Sequence, residues 1–183
     1  MAKSASTTAE QVSQWIEECV VGLSLCPFAG VPFRAGRVHI VVCSSVSAGD
    51  YLAQIESELI SLVSDPGLTE TTLIVAENTL VDFLDFNDFL ADVEELLQVD
   101  DRELSFQMAS FHPQYRFAGV DAADIGNYTN RSPFPVVQWL KADSVARAAV
   151  STDTLGIPDA NIKRLKSMGA CLLYTSPSPR DRG

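Results

Sequence analysis

Groups able to carry out acid–base or nucleophilic chemistry follow directly after three apolar runs in this sequence. They are the thiol and hydroxyls of Cys43-Ser44-Ser45, the carboxylate and amide of Glu77-Asn78, and the imidazole of His112, which precedes Pro113. If the runs are parallel strands of one sheet, their carboxyl ends meet at one edge, where open α/β sheets bind ligands. The sequence therefore predicts a site at this edge, with His112 or Glu77 transferring a proton.

A long segment without helical or strand periodicity, residues 113–135, carries further donors that can fold over this edge. Loops of this length inside a compact domain are usually functional or disordered. The segment contains Tyr115, predicted to orient a substrate, and Arg131, which is flanked by amides and hydroxyls. A guanidinium flanked by amide and hydroxyl groups is suited to bidentate binding of a carboxylate or phosphate. The residues predicted to bind a substrate anion are Arg131, Asn130, Ser132 and Asn78.

Structural alternatives accompany these assignments. Arg131 could instead tie the loop to the acidic side chains of Asp121, Asp124 or Glu77. His112 could be a histidine at the sheet edge that is hydrogen-bonded to the loop backbone rather than a proton-transfer group.

Cys26 is a further nucleophile candidate, in the run Leu25-Cys26-Pro27-Phe28. It follows a predicted helix C-terminus, whose dipole disfavours a thiolate, so a small buried residue in a turn is the favoured interpretation. A thiol-dependent mechanism would require Cys26 and His112 to lie within hydrogen-bond reach. His39 lies among β-branched residues and is expected to be packed. Two distant histidines without a Cys-x-x-Cys motif predict no metal site.

The elements that must position these groups alternate between helix and strand. Thr7 and Glu10 fit a capping box, and an apolar stripe at helical spacing runs from Val12 to Leu23. The predicted elements that follow are a central strand at 38–42, a helix over 52–63, a buried strand at 72–76, a helix over 86–97 capped by Asp82 or Asp85, strands near 104–111 and at 136–140, and helices at 144–150 and 158–168. Two upstream prolines place the strand at 136–140 at a sheet edge or at a strand start. This order indicates a single domain of the α/β class, or of the α+β class, with a mixed, largely parallel sheet of about four strands and helices packed on it.

Composition bounds the class of protein. The chain has 183 residues, 46% of them hydrophobic, which excludes a disordered chain. Its 13 basic and 24 acidic residues give a net charge of −11, which opposes binding to nucleic acid and to anionic membrane surfaces. The acid-rich stretch 82–101 lacks loop-type ligand spacing and is interpreted as a solvated helix face.

The cysteines and the first residues of the chain indicate a compartment. Of the four cysteines, Cys171 lies in the C-terminal run described below. The other three, Cys19, Cys26 and Cys43, are odd in number and lack metal-type spacing, and residues 1–11 lack the apolar core of a signal peptide. We therefore expect a reduced, cytoplasmic setting.

The C-terminal run reads differently from the rest of the chain. Residues 171–181, CLLYTSPSPRD, match the in-frame translation of a transposase-type sequencing adapter over eleven consecutive codons. We therefore expect residues 1–170 to be a single globular domain with a truncated C-terminus and residues 171–183 to derive from the adapter.

Three short motifs resemble the bacterial domain of unknown function 1415 family over about residues 10–168. They are GLSLCPFA at 22–29, FHPQYRFAG at 111–119 and NRSPFP at 130–135. The resemblance implies a shared fold and adds weight to Cys26, His112, Tyr115 and Arg131, without naming a reaction. Similar proteins tend to have His-Leu-Leu-Arg-Glu where this chain has Gln-Trp-Leu-Lys-Ala at 138–142. This difference leaves His112 as the one candidate acid–base imidazole.

The first functional hypothesis is a cytoplasmic enzyme that performs transfer or hydrolysis on a small anionic metabolite. No G-x-G-x-x-G motif, P-loop or iron–sulfur cysteine pattern occurs, so no cofactor is predicted. The alternative is a noncatalytic domain that binds a small ligand or a protein through the loop at 113–135.

Overall fold

The computed structural model describes residues 6–64, 67–150 and 156–168 of this chain. Its strands and helices alternate through most of the sequence. In chain order they are α1 (Thr8–Trp15), a π-helix (Ile16–Val21), α2 (Gly30–Arg34), β1 (Val38–Cys43), α3 (Ala48–Ser64), β2 (Thr71–Ala76), α4 (Phe83–Glu95), β3 (Phe106–Phe111), β4 (Val136–Lys141), α5 (Ala142–Ala149) and α6 (Ile157–Met168). Short 3₁₀ turns cover Val99–Leu104 and Ile125–Asn130. The predicted helices and strands are thus confirmed, with boundaries shifted by a few residues.

The sheet has four strands in the order β1-β2-β4-β3. β1 and β2 are parallel, whereas β4 is antiparallel to both β2 and β3. The prediction of a largely parallel sheet is therefore wrong, because β4 is inserted between two strands that run the other way. β1, β2 and β3 nevertheless all run in one direction. Their carboxyl ends lie at one edge of the sheet, called here the carboxyl edge.

Two strands occupy positions other than those predicted. β1, expected to be central, is an edge strand, and His39 on it is exposed rather than packed. β4, for which an edge was one alternative, is central. The prolines precede its first residue, so they remove no hydrogen bond from the ladder, and the carbonyl of Pro135 accepts from the backbone of Ala76 at 2.9 Å.

One face of the sheet is covered by α3 and α4 and is called the α3/α4 face. The core there includes Ile74, Val137 and Trp139 from the strands, packed with Tyr51 and Phe86 from the helices. Two hydrogen bonds from aromatic side chains fix α3 to the sheet: the Tyr51 hydroxyl donates to the Ile74 carbonyl at 2.7 Å, and Trp139 Nε1 donates to the Ile55 carbonyl at 3.1 Å. Because these polar groups are satisfied inside the core, the rings are buried without an orphaned donor.

The opposite face, called the α1 face, is covered in part. Val12 and Ile16 pack against Leu73, Val75 and Val136 near the carboxyl edge. The capping box predicted at Thr7 and Glu10 begins α1. The helix then widens into the π-helix, a feature that periodicity cannot reveal because the apolar stripe continues through it.

The C-terminal helix holds the chain that leaves the π-helix. Asn161 Nδ2 donates to the carbonyl of Leu25 at 2.7 Å, and Arg164 donates to the carbonyls of Leu23 and Ser24 at 2.7 and 2.9 Å. Ser24 adopts the left-handed conformation, with φ of 49°. These bonds satisfy carbonyls at the end of a helix and fix the path of the next residues, including Cys26.

Some predictions fall outside the described residues. The adapter-like run at 171–181 and the truncation expected after residue 170 lie there. Within the described part of the chain, no helix combines the length and the apolar character needed to cross a bilayer.

Candidate functional site

The carboxyl edge brings Ser44, Glu77 and Asn78 together, as the sequence predicted. The hydroxyl of Ser44 donates to the Glu77 carboxylate at 2.6 Å, and Asn78 Nδ2 donates to the Ser44 carbonyl at 2.9 Å. A third element joins them, because the hydroxyl of Thr8 at the start of α1 also donates to Glu77. The carboxylate thus links β1, β2 and α1.

These contacts favour the negatively charged form of Glu77. Hydrogen bonds from the Ser44 and Thr8 hydroxyls lower the pKa of the carboxyl, and the small loss of solvation acts in the opposite direction. A carboxylate with a lowered pKa is a weaker proton acceptor. The arrangement therefore suits a structural anion better than a general base.

His112 lies in the protein interior, with 0% of its surface exposed. The backbone N–H of Gln114 donates to Nδ1 at 3.0 Å, and Nε2 lies 3.1 Å from the Leu80 carbonyl oxygen. Because an N–H group can only donate, Nδ1 must be the acceptor and Nε2 must carry the proton that is donated to Leu80. Both nitrogens of a neutral ring are therefore engaged by backbone groups.

The ring of His112 packs on the α3/α4 face. Its centroid lies 5.2 Å from that of Phe86 and 5.4 Å from that of Phe83, both in α4. This geometry favours the structural alternative, a histidine bonded to backbone at the sheet edge. The role of His112 in proton transfer stays a prediction.

Arg131 is engaged inside its own loop. Its guanidinium donates to the carbonyl of Ala122 at 2.9 Å and, at 3.4 Å, to that of Tyr115, and Cζ lies 4.2 Å from the centre of the Tyr128 ring. Its backbone carbonyl accepts from Trp15 Nε1 at 3.0 Å. The loop is therefore closed through carbonyl groups, whereas the structural alternative named acidic side chains.

Other polar groups predicted to bind substrate have similar structural partners. Asn130 Nδ2 donates to the Ser110 carbonyl at 3.1 Å, and the Ser132 hydroxyl donates to the Phe134 carbonyl at 2.5 Å. Tyr115 packs on the rings of Phe83 and Phe117. The loop at 113–135 is thus ordered by its own side chains, and the assignment of these residues to a substrate site stays a prediction.

A cavity of about 640 Å³ lies elsewhere, on the α1 face. It is bounded by all four strands, by the segment 26–32 and by α5, and its lining is mostly apolar. We call it the sheet cavity. Its floor is formed by side chains that share one face of the sheet: Val38, Leu73, Gln107, Ala109, Phe111, Gln138 and Leu140. Its volume lies within the range of small-molecule sites.

Gln138 places an amide in the middle of this floor. It belongs to the central strand β4, pairs with Leu73 on β2 and Ala109 on β3, and is half-buried. Its Nε2 donates to the Thr71 hydroxyl at 2.8 Å, and that hydroxyl donates to the Trp139 carbonyl at 2.7 Å. One of the two amide N–H donors is used in this way, and the amide oxygen is the acceptor that Gln138 presents.

Cys26 lines the sheet cavity. Burial raises the pKa of the thiol, and hydrogen bonds from the backbone N–H groups of Phe28 and Ala29 act in the opposite direction. His112 packs on the other face of the sheet and both its ring nitrogens are bonded, so the structure does not bring Cys26 and His112 together. This arrangement gives no support to the thiol mechanism that requires their contact, and a catalytic role of Cys26 stays a prediction.

No cluster of three or more His, Cys, Asp or Glu side chains suited to a metal ion occurs in residues 6–64, 67–150 and 156–168. Cys43 is buried on the α3/α4 face, and Cys19 is half-buried.

Sequence reasoning missed the sheet cavity for a specific reason. Gln138 interrupts an apolar run in β4, and a polar residue in a central strand signals a polar contact or a ligand. That signal was hidden because the prolines allowed an edge position for the strand, where a polar side chain is ordinary. The basic residues Arg37, Lys141 and Arg147, which also line the cavity, carry no local motif.

Comparison with known proteins supports the resemblance seen in the three motifs. Residues 7–173 match the model of a family described as "Protein of unknown function (DUF1415)". No curated protein and no solved structure matches the chain.

Proposed function

This chain belongs to the DUF1415 family, and we propose that it binds a small molecule with a largely apolar body in the sheet cavity. The observation that carries the proposal is the cavity itself, with about 640 Å³ of space over a sheet face that is otherwise suited to burial. An apolar sheet face normally packs against a helix. Here α1 covers its carboxyl end, and the rest of the face forms the floor of the cavity.

The lining has the composition of a ligand site. Small-molecule sites combine apolar walls with a few placed polar groups that orient the ligand. Leu73, Leu140 and Phe111 provide apolar surface, while Gln138 provides one acceptor held in place through Thr71. A ligand with a hydrogen-bond donor near its middle would match this pattern.

Catalysis at the carboxyl edge has less support. Glu77, His112 and Arg131 all serve as partners of backbone or hydroxyl groups that hold the fold together. Transfer or hydrolysis of an anionic metabolite there stays a prediction, as does protein recognition by the loop at 113–135.

A titration with the neutral, environment-sensitive dye Nile red tests the proposal. We expect saturable binding with one site per chain. Ala109 on the cavity floor is half-buried, so Ala109→Phe should fill the space and lower the affinity by at least about tenfold, given the free energy of displacing a buried apolar group.

The matched control is Ala53→Phe, which makes the same change at an exposed position of α3 on the opposite face. It should leave the affinity unchanged. Binding that does not saturate, or equal affinities for the wild type and Ala109→Phe, would overturn the proposal.

A further inference from the structure

We infer that the ligand of the sheet cavity is an amphipathic carboxylate, with Arg37 binding its head group. This inference rests on the proposed function and adds the chemical class of the ligand. It follows from an unsatisfied donor, from the charges around the cavity and from the net charge of the chain.

Arg37 carries the unsatisfied donor. The residue lines the cavity just before β1, and its Nη1 pairs with the Glu70 carboxylate at 2.7 Å. Its Nε is buried without an acceptor, and it is the one buried side-chain nitrogen or oxygen in this condition within the described residues. Because a buried unpaired N–H costs free energy, native proteins nearly always supply it with a partner.

The geometry of a guanidinium selects the partner. Nη1 lies on the side of the group that faces Glu70, and Nε–H and Nη2–H form a separate pair of parallel donors. A carboxylate accepts such a pair with two parallel hydrogen bonds. A neutral acceptor such as a hydroxyl would satisfy Nε alone and would lack both the second parallel bond and the attraction between opposite charges.

The charges around the cavity favour a ligand with a single negative charge. Arg37, Lys141 and Arg147 line it, and only Glu70 among the lining residues is acidic. Arg147 also pairs with Asp143 at 2.7 Å, so the local excess of positive charge is small. The whole chain carries −11, which repels multiply charged anions more than a monoanion. These features together match a monocarboxylate better than a phosphorylated compound.

Octanoate, 1-octanol and octylammonium test the inference as probes of equal chain length. Each is titrated by calorimetry, or by displacement of Nile red. We expect octanoate to bind at least about tenfold more tightly than octanol, the difference that charged hydrogen bonds ordinarily produce, and octylammonium to bind most weakly.

Variants distinguish the contribution of the head-group contact to affinity from that of the apolar cavity. Arg37→Gln should remove the preference for octanoate over octanol while leaving octanol affinity within about twofold. Arg116→Gln removes the same charge from an exposed loop position that does not line the cavity, and it should leave the preference intact. If Arg37→Gln fails to fold because Glu70 loses its partner, the pair Arg37→Gln/Glu70→Gln removes both charges and gives the same test.

The outcomes distinguish the inference from the proposed function. Equal affinities for octanoate and octanol, or an octanoate preference that survives the loss of Arg37, would overturn the inference and leave the apolar site standing. Failure of all three probes and of Nile red to bind would overturn both.

Discussion

The Nε2 atom of His112 lies 3.1 Å from the carbonyl oxygen of Leu80, a residue held in the left-handed conformation with φ of 53°. A left-handed conformation is costly for a side chain with a Cβ atom, so neighbouring contacts must maintain it. The imidazole supplies one such contact and joins the turn after β2 to the end of β3. A residue predicted to transfer protons thus fixes the backbone on which the carboxyl edge is built.

Substitution of His112 should therefore lower stability. His112→Ala leaves the Gln114 N–H and the Leu80 carbonyl without partners and creates a cavity between two rings. We expect the free energy of unfolding to fall by about 2–4 kcal/mol, measured by urea denaturation. His39→Ala, at an exposed position of an edge strand, should change it by less than about 0.5 kcal/mol. Equal effects of the two substitutions would show that the bonds of His112 do not support the fold.

Glu77 should make stability depend on acidic pH. Its pKa is lowered in the folded protein by the Ser44 and Thr8 hydroxyls, so the folded state binds the proton less readily than the unfolded state. The stabilising contribution is complete above the unfolded pKa of about 4.3 and is lost as pH falls through the lower folded pKa. The difference in Tm between the wild type and Glu77→Gln should therefore shrink as pH is lowered from about 6 to about 3. Glu103→Gln, at an exposed position, is the control, and a difference that widens in acid would contradict the interpretation.

Two glycine substitutions should change the free energy of unfolding in opposite directions. A Cβ atom on Gly22 would overlap with the backbone carbonyl of Glu18 in the π-helical turn, whereas one on Gly49, in the first turn of α3, would meet only the Ser47 hydroxyl at 3.6 Å. We expect Gly22→Ala to lower the free energy of unfolding by more than about 1 kcal/mol, and Gly49→Ala to raise it by about 0.5 kcal/mol through helix propensity. Thermal denaturation of both variants measures this, and a stabilised Gly22→Ala would mean that the π-helix is not maintained.

Arg131 should order its loop. Arg131→Ala removes donors to the Tyr115 and Ala122 carbonyls, so amide hydrogen exchange between residues 113 and 131 should accelerate, corresponding to a loss of about 1–2 kcal/mol in local stability. Arg116→Ala, which removes the same charge from the same loop, should have little effect. The substrate-anion hypothesis predicts a different result: unchanged exchange together with loss of the Tm increase that a bound anion causes.

The thiol of Cys26 should react slowly. Burial raises its pKa, and the thiolate is the reactive form, so alkylation by iodoacetamide at neutral pH should be slower in the folded protein than in guanidinium. The rate in the folded protein should keep rising above the ordinary thiol pKa of about 8.5. Peptide mass spectrometry separates Cys26 from the other cysteines. Faster reaction in the folded state would show that the Phe28 and Ala29 N–H groups lower the pKa of Cys26 by more than burial raises it.

Local signals in the sequence were sufficient for much of the fold. The capping box at Thr7 and Glu10, the cap at Asp82 and the buried run of β2 act within a few residues, so they can be read without knowledge of distant contacts. The meeting of Ser44, Glu77 and Asn78 was also predicted, because β1 and β2 are adjacent and parallel. The predicted edge therefore exists even though the sheet is not largely parallel.

The main helices and strands, the three-residue cluster at the carboxyl edge and the family were predictable from the amino-acid sequence, whereas the π-helix and the short helix α2 were not predicted. The position of β4 between β2 and β3, the packing of His112 against α4 and the cavity over Gln138 became visible only in the folded structure. Strand order and burial depend on pairings between residues far apart in the chain. Hydrophobic periodicity within one segment does not show which distant segment it pairs with. The same limit applies to Arg37, whose unsatisfied Nε becomes visible only when the residues around it are placed in space.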